Sequence, residues 1–154
     1  GFHCRMRTGF LSALAYWGRT RREEEDFSAQ AEAIIDFLEL EEMRHAVVGD
    51  MSYGYRKRVD LGRALALQPK ILIMDEPMAG MSPEEKGDLT RFILDIREGL
   101  GIPVVLVEHD MEVVMAISDL VTVVDFGEVI ASGTPEQIAA DPRVVAAYLG
   151  GAAA

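Results

Sequence analysis

The sequence is poor in cysteine, in basic residues and in long apolar runs. Cys4 is the single cysteine, which excludes an internal disulfide and is typical of a reducing compartment. Fifteen lysines and arginines face 26 aspartates and glutamates, for a net charge of −11, whereas nucleic-acid binding demands clustered basic residues, so we expect no nucleic-acid partner. The apolar runs at 103–107 and 120–124 are far too short to span a bilayer, and we expect no secretion signal.

The apolar residues that are present change their spacing along the chain. Residues 27–38 carry them at helical intervals, and the apolar stretch 10–18 predicts a shorter helix before that one. Residues 69–133 alternate between apolar strands and amphipathic helices and end in a hairpin near Gly127, which is typical of a parallel α/β sheet. We therefore predict a helical subdomain over 1–68 and an α/β core region over 69–154.

Two predicted strands end in polar residues that are suited to phosphate chemistry. The run "KILIMD" predicts a parallel strand covered on both faces, and it leads directly into Asp75 and Glu76. A second strand leads into His109. Ligands of α/β sheets bind beyond the carboxyl ends of the strands, where Asp75 would hold a hydrated Mg²⁺, Glu76 would accept a proton from water and His109 would contact a phosphate. Taken singly, each of these residues is also compatible with an ordinary exposed turn.

Serines mark the starts of two further helices. Ser52 is a good N-cap, and Gly54 behind it permits close approach of a ligand, so this helix start is a candidate anion site. The following Arg56, Lys57 and Arg58 oppose the helix dipole, a mismatch that a bound anion would relieve. The stretch Ser82-Pro83-Glu84-Glu85 predicts a capping box.

Later segments also predict helices. The helix that follows Ser82 should bury its apolar face, which consists of Leu89, Phe92, Ile93 and Ile96. Another helix should begin at Asp110, and the stretch Thr134-Pro135-Glu136-Gln137 predicts a second capping box.

Taken in order, these segments resemble the motifs of ABC transporter ATP-binding subunits. "MSYGY" resembles the signature motif, "ILIMDEP" the Walker B strand with its glutamate, "AGMSPEE" the D-loop and "LVEHDM" the switch-histidine segment. The stretches "DFGEVIASGTPE" and "DPRVVAAYLG" are similar to the subunits that serve branched-chain or hydrophobic amino-acid importers. The expected fold is thus half of a P-loop NTPase-like α/β core plus an α-helical subdomain.

The resemblance implies a role for each matching residue. Asp75 would assist Mg²⁺, Glu76 would be the general base and His109 would contact the γ-phosphate of ATP. The signature residues would bind ATP held mainly by a second ATPase subunit, and the D-loop would lie beside them; these residues are Ser52, Tyr53, Gly54 and Tyr55 in the signature and Gly80, Met81 and Ser82 in the D-loop.

The resemblance also implies partners and a location. The family works as a two-fold ATP sandwich on the cytoplasmic face of the inner membrane, and its helical subdomain docks on a transmembrane permease. For the segment 8–18, a helix lying on the membrane surface is the alternative to permease docking.

Several features depart from the family pattern. Tyr53 and Tyr55 replace a glycine and the glutamine of the signature, and Ser82 replaces the D-loop aspartate. No G-x-x-x-x-G-K-[ST] phosphate loop occurs in the 154 residues, and the glutamine loop is missing too. We therefore expect the C-terminal part of an ATPase, which binds ATP and Mg²⁺ only through the complete protein and forms homo-oligomers in isolation because its apolar strands are left open.

Two other functions compete with the importer ATPase. A truncated, non-catalytic module that docks to a permease or to a full-length partner would carry the same motifs. A DNA-maintenance ATPase is disfavoured because the chain has neither heptads nor zinc-binding cysteines, and because it is acidic.

Overall fold

The computed structural model describes residues 19–151 and resolves them into two compact units that divide between Leu106 and Val107. The apolar segment 10–18, predicted to be helical, lies outside the described residues. None of the described helices combines the length and the apolar character needed to cross a membrane.

The first unit opens with helix α1, Arg19–Phe37, followed by two short 3₁₀ turns and helix α2, Tyr53–Leu65. The apolar stripe predicted for α1 is confirmed, since Ile34 and Ile35 are half-buried and Leu38, directly after the helix, is fully buried. Helix α2 begins after Ser52, as predicted, and ends four residues before Pro69.

Strand β1, Leu72–Asp75, is followed by helix α3, Pro83–Gly99, and by strand β2, Val104–Val107. Helix α3 begins in a complete capping box and buries the four residues predicted for its apolar face: Leu89, Phe92, Ile93 and Ile96. Strands β1 and β2 are neighbours in a two-stranded sheet.

The prediction that these strands are covered on both faces is wrong for the described chain. Successive side chains of a strand point to opposite faces of the sheet. Leu72 is 5% exposed, whereas Ile73 beside it is 67% exposed, and Val105 and Val107 of β2 are about half exposed. One face of the sheet is therefore packed, and the other presents an apolar surface, which we call the open sheet face: Ile71, Ile73 and Val105.

The second unit consists of helix α4, Met111–Ile117, a hairpin and two terminal helices. The hairpin joins β3, Val121–Asp125, to β4, Glu128–Gly133, in antiparallel register, with an irregularity after Val123. It turns through Phe126 and Gly127, both at positive φ, which confirms the predicted turn.

Helices α5, Pro135–Ala139, and α6, Pro142–Gly151, complete the second unit. Its core brings together residues from the hairpin and from both of these helices: Val121, Ala131, Ile138 and Val144. Helix α5 begins in the predicted capping box, formed by Thr134 and Gln137.

An arginine links α2 to α3 inside the first unit. The Arg58 side chain is 13% exposed, and its guanidinium forms an ion pair with Asp88 of α3. Its guanidinium carbon also lies 5.2 Å from the centre of the fully buried Phe92 ring, within cation–π range. Arg58 thus covers part of the apolar face of α3, because its guanidinium lies over the Phe92 ring and is paired with Asp88.

Candidate functional site

The carboxyl end of β1 presents two adjacent acids to solvent. Asp75 is the last residue of the strand, and Glu76 follows it with a left-handed backbone at φ +42°. Both residues are exposed, whereas the next two, Pro77 and Met78, are buried. Glutamate rarely adopts positive φ, and strained backbone of this kind clusters at functional sites. Asp75 and Glu76 thus lie exposed at the carboxyl end of the strand, as the sequence predicts.

These carboxylates fit the way in which proteins hold magnesium. Within residues 19–151 no group of three or more histidine, cysteine, aspartate or glutamate side chains could form a cation cage. Mg²⁺ does not require such a cage, because it keeps several waters and is usually held by one or two carboxylates together with substrate phosphates. The exposed Asp75 offers the hard oxygen ligands that this mode uses.

The start of α2 has the predicted N-cap, but its amides are not open. The Ser52 hydroxyl oxygen accepts a hydrogen bond from the Tyr55 N–H, with 3.5 Å between the heavy atoms. The Gly54 N–H, which the pattern predicts to be available to an anion, donates instead to Glu85 Oε1 at 3.1 Å. An anion does lie at this helix start, and it is the protein's own carboxylate.

Two of the basic residues after the signature have internal partners. The Lys57 ammonium lies 5.4 Å from the centre of the Tyr53 ring. Arg58 is held by Asp88, and its guanidinium lies 5.2 Å from the centre of the Tyr55 ring. The cationic groups of Lys57 and Arg58 therefore lie within cation–π range of the two tyrosines that depart from the family pattern.

The D-loop residues lie beside the signature. Ser82 caps α3, and Gly80 at φ +74° makes the turn that leads to it. A side-chain carbon added at Gly80 would lie 3.8 Å from the Tyr53 ring, which places this ring near the D-loop backbone. Met81, which lies between Gly80 and Ser82, is buried. The structure thus brings the signature and the D-loop together within the first unit.

His109 belongs to the second unit and lies just after β2. Its side chain is 74% exposed, whereas that of Glu108 is 1% exposed. The Glu108 carboxylate accepts a hydrogen bond from the His109 backbone N–H at 3.3 Å, and Asp110 caps helix α4. The histidine ring is thus presented to solvent from a short segment anchored on both sides.

Sequence reasoning missed the part that Glu85 plays. The capping-box pattern predicts its bond to the Ser82 N–H, which is present at 2.9 Å. Nothing in a local pattern indicates its bond to Gly54, which lies 31 positions away. The available sign was the glycine itself, because glycine is favoured where another group approaches the backbone closely.

Comparison with known proteins agrees with these motifs. Residues 5–79 match the family model described as "ABC transporter", and residues 128–154 match "Branched-chain amino acid ATP-binding cassette transporter". The chain is 38% identical over 148 residues to the high-affinity branched-chain amino acid transport ATP-binding protein BraF of Pseudomonas aeruginosa, and 37% identical over 148 residues to LivG of Escherichia coli, a protein of the same description. Each match covers 96% of this chain and 58% of the relative.

The chain belongs to the ABC transporter ATP-binding family. A crystal structure of the ADP conformation of an ATP-binding cassette of an ABC transporter superposes with a TM-score of 0.76 at 32% identity, covering 96% of this chain and 59% of that one. A nucleotide-free cassette gives a TM-score of 0.74 at 32% identity, covering 92% of this chain and 56% of that one. The predicted P-loop NTPase-like fold and the branched-chain subfamily are confirmed. This cassette chain spans somewhat over half the length of the relatives that it matches.

Two glycines test the geometry at the start of α2. At Gly87, in α3, an added side-chain carbon meets nothing within 4 Å, so Gly87→Ala should raise the free energy of unfolding by about 0.5–1 kcal/mol through helix propensity. At Gly54 the same carbon would lie 2.4 Å from Glu85 Oε1, so Gly54→Ala should displace that carboxylate and lower stability. Urea unfolding of the two variants measures both effects. Equal stabilisation by the two alanines would contradict the contact.

Proposed function

We propose that this chain supplies the acidic strand end, the switch histidine and the signature segment of an ATP-hydrolysing subunit in an importer of branched-chain or related amino acids. The observation that carries the proposal is the ordered set of motifs on a cassette fold, with Asp75 and Glu76 exposed at the end of β1. The names of the relatives support the substrate class.

In this proposal Asp75, Glu76 and His109 have different roles in hydrolysis. Asp75 would orient the waters around Mg²⁺, which when bound would neutralise charge on the phosphates. Glu76 would accept the proton of the attacking water through its carboxylate, and general-base assistance of this kind is worth about 10²–10⁴-fold in rate. His109 would donate a ring N–H to the γ-phosphate, a role that the exposure of its side chain permits.

The signature would act on ATP held mainly by the second subunit. The Ser52 hydroxyl lies at the positive end of the α2 dipole, a favourable place for a phosphate oxygen. Gly54 is buried and its N–H is engaged by Glu85, so its part would be to hold this segment in place. The D-loop residues Gly80, Met81 and Ser82 would line the same subunit boundary. We further propose that the phosphate cradle comes from polypeptide outside these 154 residues, since they contain no phosphate-loop motif.

The helical part of the chain would dock on the transmembrane permease, which would hold the protein on the cytoplasmic face of the inner membrane. An open, mainly apolar groove of about 310 Å³ between α1, the 3₁₀ turns and α2 supports this proposal, with Arg44 and Arg63 also among its lining residues. Its apolar lining includes Ile34, Ile35, Met43, Val48, Met51 and Val59. A groove of this kind suits a helix with one apolar face.

A fusion to BraF tests the catalytic proposal. The chain would be joined to the portion of BraF outside the matched region, and phosphate release from Mg-ATP would be measured for the fusion and for the chain alone. We expect hydrolysis by the fusion only, and a fall in kcat of about 10²–10⁴-fold in Glu76→Gln because the base is lost. Glu98→Gln, which removes an exposed carboxylate near the end of α3, serves as the control.

Hydrolysis by the chain alone would contradict the missing cradle. If Glu76→Gln left the kcat of the fusion unchanged, this would contradict the assignment of Glu76 as the general base. A fusion that is inactive although folded would favour the alternative, in which the chain is a non-catalytic docking module.

We also propose that the isolated chain self-associates through the open sheet face, because contiguous exposed apolar side chains mark an interaction surface. Sedimentation velocity should detect dimers or larger species, and Ile73→Thr should shift them towards monomer. Leu120→Thr is the matched control, since Leu120 and Ile73 are both 67% exposed and Leu120 lies outside the sheet. A compact monomer over the whole concentration range would contradict this proposal.

A further inference from the structure

The Glu85 side chain joins the starts of two helices. Its Oε2 accepts the Ser82 N–H of α3 at 2.9 Å, and its Oε1 accepts the Gly54 N–H of α2 at 3.1 Å. In return, the Glu85 N–H donates to the Ser82 hydroxyl at 3.3 Å. The backbone N–H of Ser82 and, to a lesser extent, that of Gly54 hold the pKa of the Glu85 carboxyl below its usual range.

This arrangement does more than cap α3. A capping box needs one carboxylate oxygen, for the N–H of the capping residue. Here the second oxygen reaches a different helix, 31 positions earlier in the chain. That reach depends on glycine at position 54, where any side-chain carbon would lie 2.4 Å from Oε1. Gly54 and Glu85 therefore form a matched pair.

The two segments held by this carboxylate both belong to the proposed ATP site. Gly54 is the glycine of the signature, and Ser82 closes the D-loop. The Tyr53 ring also lies near Gly80, since a side-chain carbon added at Gly80 would be 3.8 Å from that ring. Glu85 accepts hydrogen bonds from the backbone of Ser82 and of Gly54, so it would act through these neighbours.

We propose that Glu85 is a positioning residue for ATP hydrolysis, which fixes the signature segment Ser52–Tyr55 relative to the D-loop segment Gly80–Ser82. This inference rests on the function proposed above. A carboxylate that accepts two N–H groups from two helices sets both the distance between these segments and their relative orientation. Loss of it would leave each helix formed but their starts free to move apart, and misplacement of reacting groups by about 1 Å can cost about a hundredfold in rate.

Glu85→Gln tests the inference, because glutamine keeps the length of the side chain but has one acceptor oxygen in place of two. The control is Glu84→Gln, which removes the same charge from the same first turn of α3 and leaves the bond to Gly54 in place. The first measurement is amide hydrogen exchange at Gly54 by NMR in the 154-residue chain. We expect exchange to quicken by about three- to tenfold in Glu85→Gln, as for the loss of one net hydrogen bond, and to stay unchanged in Glu84→Gln.

The second measurement is steady-state ATP hydrolysis by the BraF fusion, with Glu76→Gln in parallel. Glu85→Gln should lower kcat by about ten- to a hundredfold and change KM for ATP by less than about twofold, since the nucleotide is held mainly elsewhere. Glu84→Gln should match the unsubstituted fusion. Circular dichroism of each variant checks that the helices are retained.

The outcomes separate the two proposals. Unchanged exchange at Gly54, or an unchanged kcat when Glu76→Gln is inactive, would overturn the positioning role and leave the proposed function standing. Activity that survives Glu76→Gln would overturn the proposed function itself. A rise in KM that accounts for the whole loss would also overturn the positioning role, because it would make Glu85 a determinant of binding.

Discussion

The first unit depends on the backbone N–H groups at the starts of α2 and α3, which have no partner within their own helix. Such groups carry partial positive charge and need acceptors. Ser52 and Ser82 each supply a hydroxyl, and the Glu85 carboxylate serves one N–H of each helix. Because the same carboxylate satisfies both helix starts, the segments that carry the signature and the D-loop cannot be placed independently.

A second link farther along the two helices reinforces the first. Arg58 of α2 pairs with Asp88 of α3, and it packs on the Phe92 ring that α3 buries in the core. Arg91 lies over the same ring at 4.5 Å and pairs with Glu39 at 2.8 Å. Two paired arginines thus lie over the buried Phe92 ring. Cation–π contacts of this kind contribute most to stability where water is excluded.

Local chemistry made much of this fold predictable from the sequence. The N-caps at Ser52 and Asp110, the capping boxes at Ser82 and Thr134 and the turn at Gly127 each depend on residues within four positions of one another. The predicted apolar face of α3 is also local, since the helical period fixes it.

What the sequence did not reveal depends on contacts distant along the chain. The apolar runs around Ile73 and Val105 are the same whether one face of the sheet is covered or both, and only the structure shows the open sheet face. The bond between Gly54 and Glu85 crosses 31 positions, which no local pattern reveals. The roles assigned to Asp75, Glu76 and His109 come from motif resemblance and stay predictions.

We propose that this chain carries catalytic and signature residues but not the loop that holds the phosphates of the nucleotide. In P-loop proteins backbone amides and a lysine hold these phosphates, and no such loop occurs in the 154 residues. Calorimetric titration of Mg-ATP into the isolated chain tests this claim most directly. We expect no measurable binding heat, and a saturable isotherm with micromolar affinity would contradict the absence of a phosphate-binding loop.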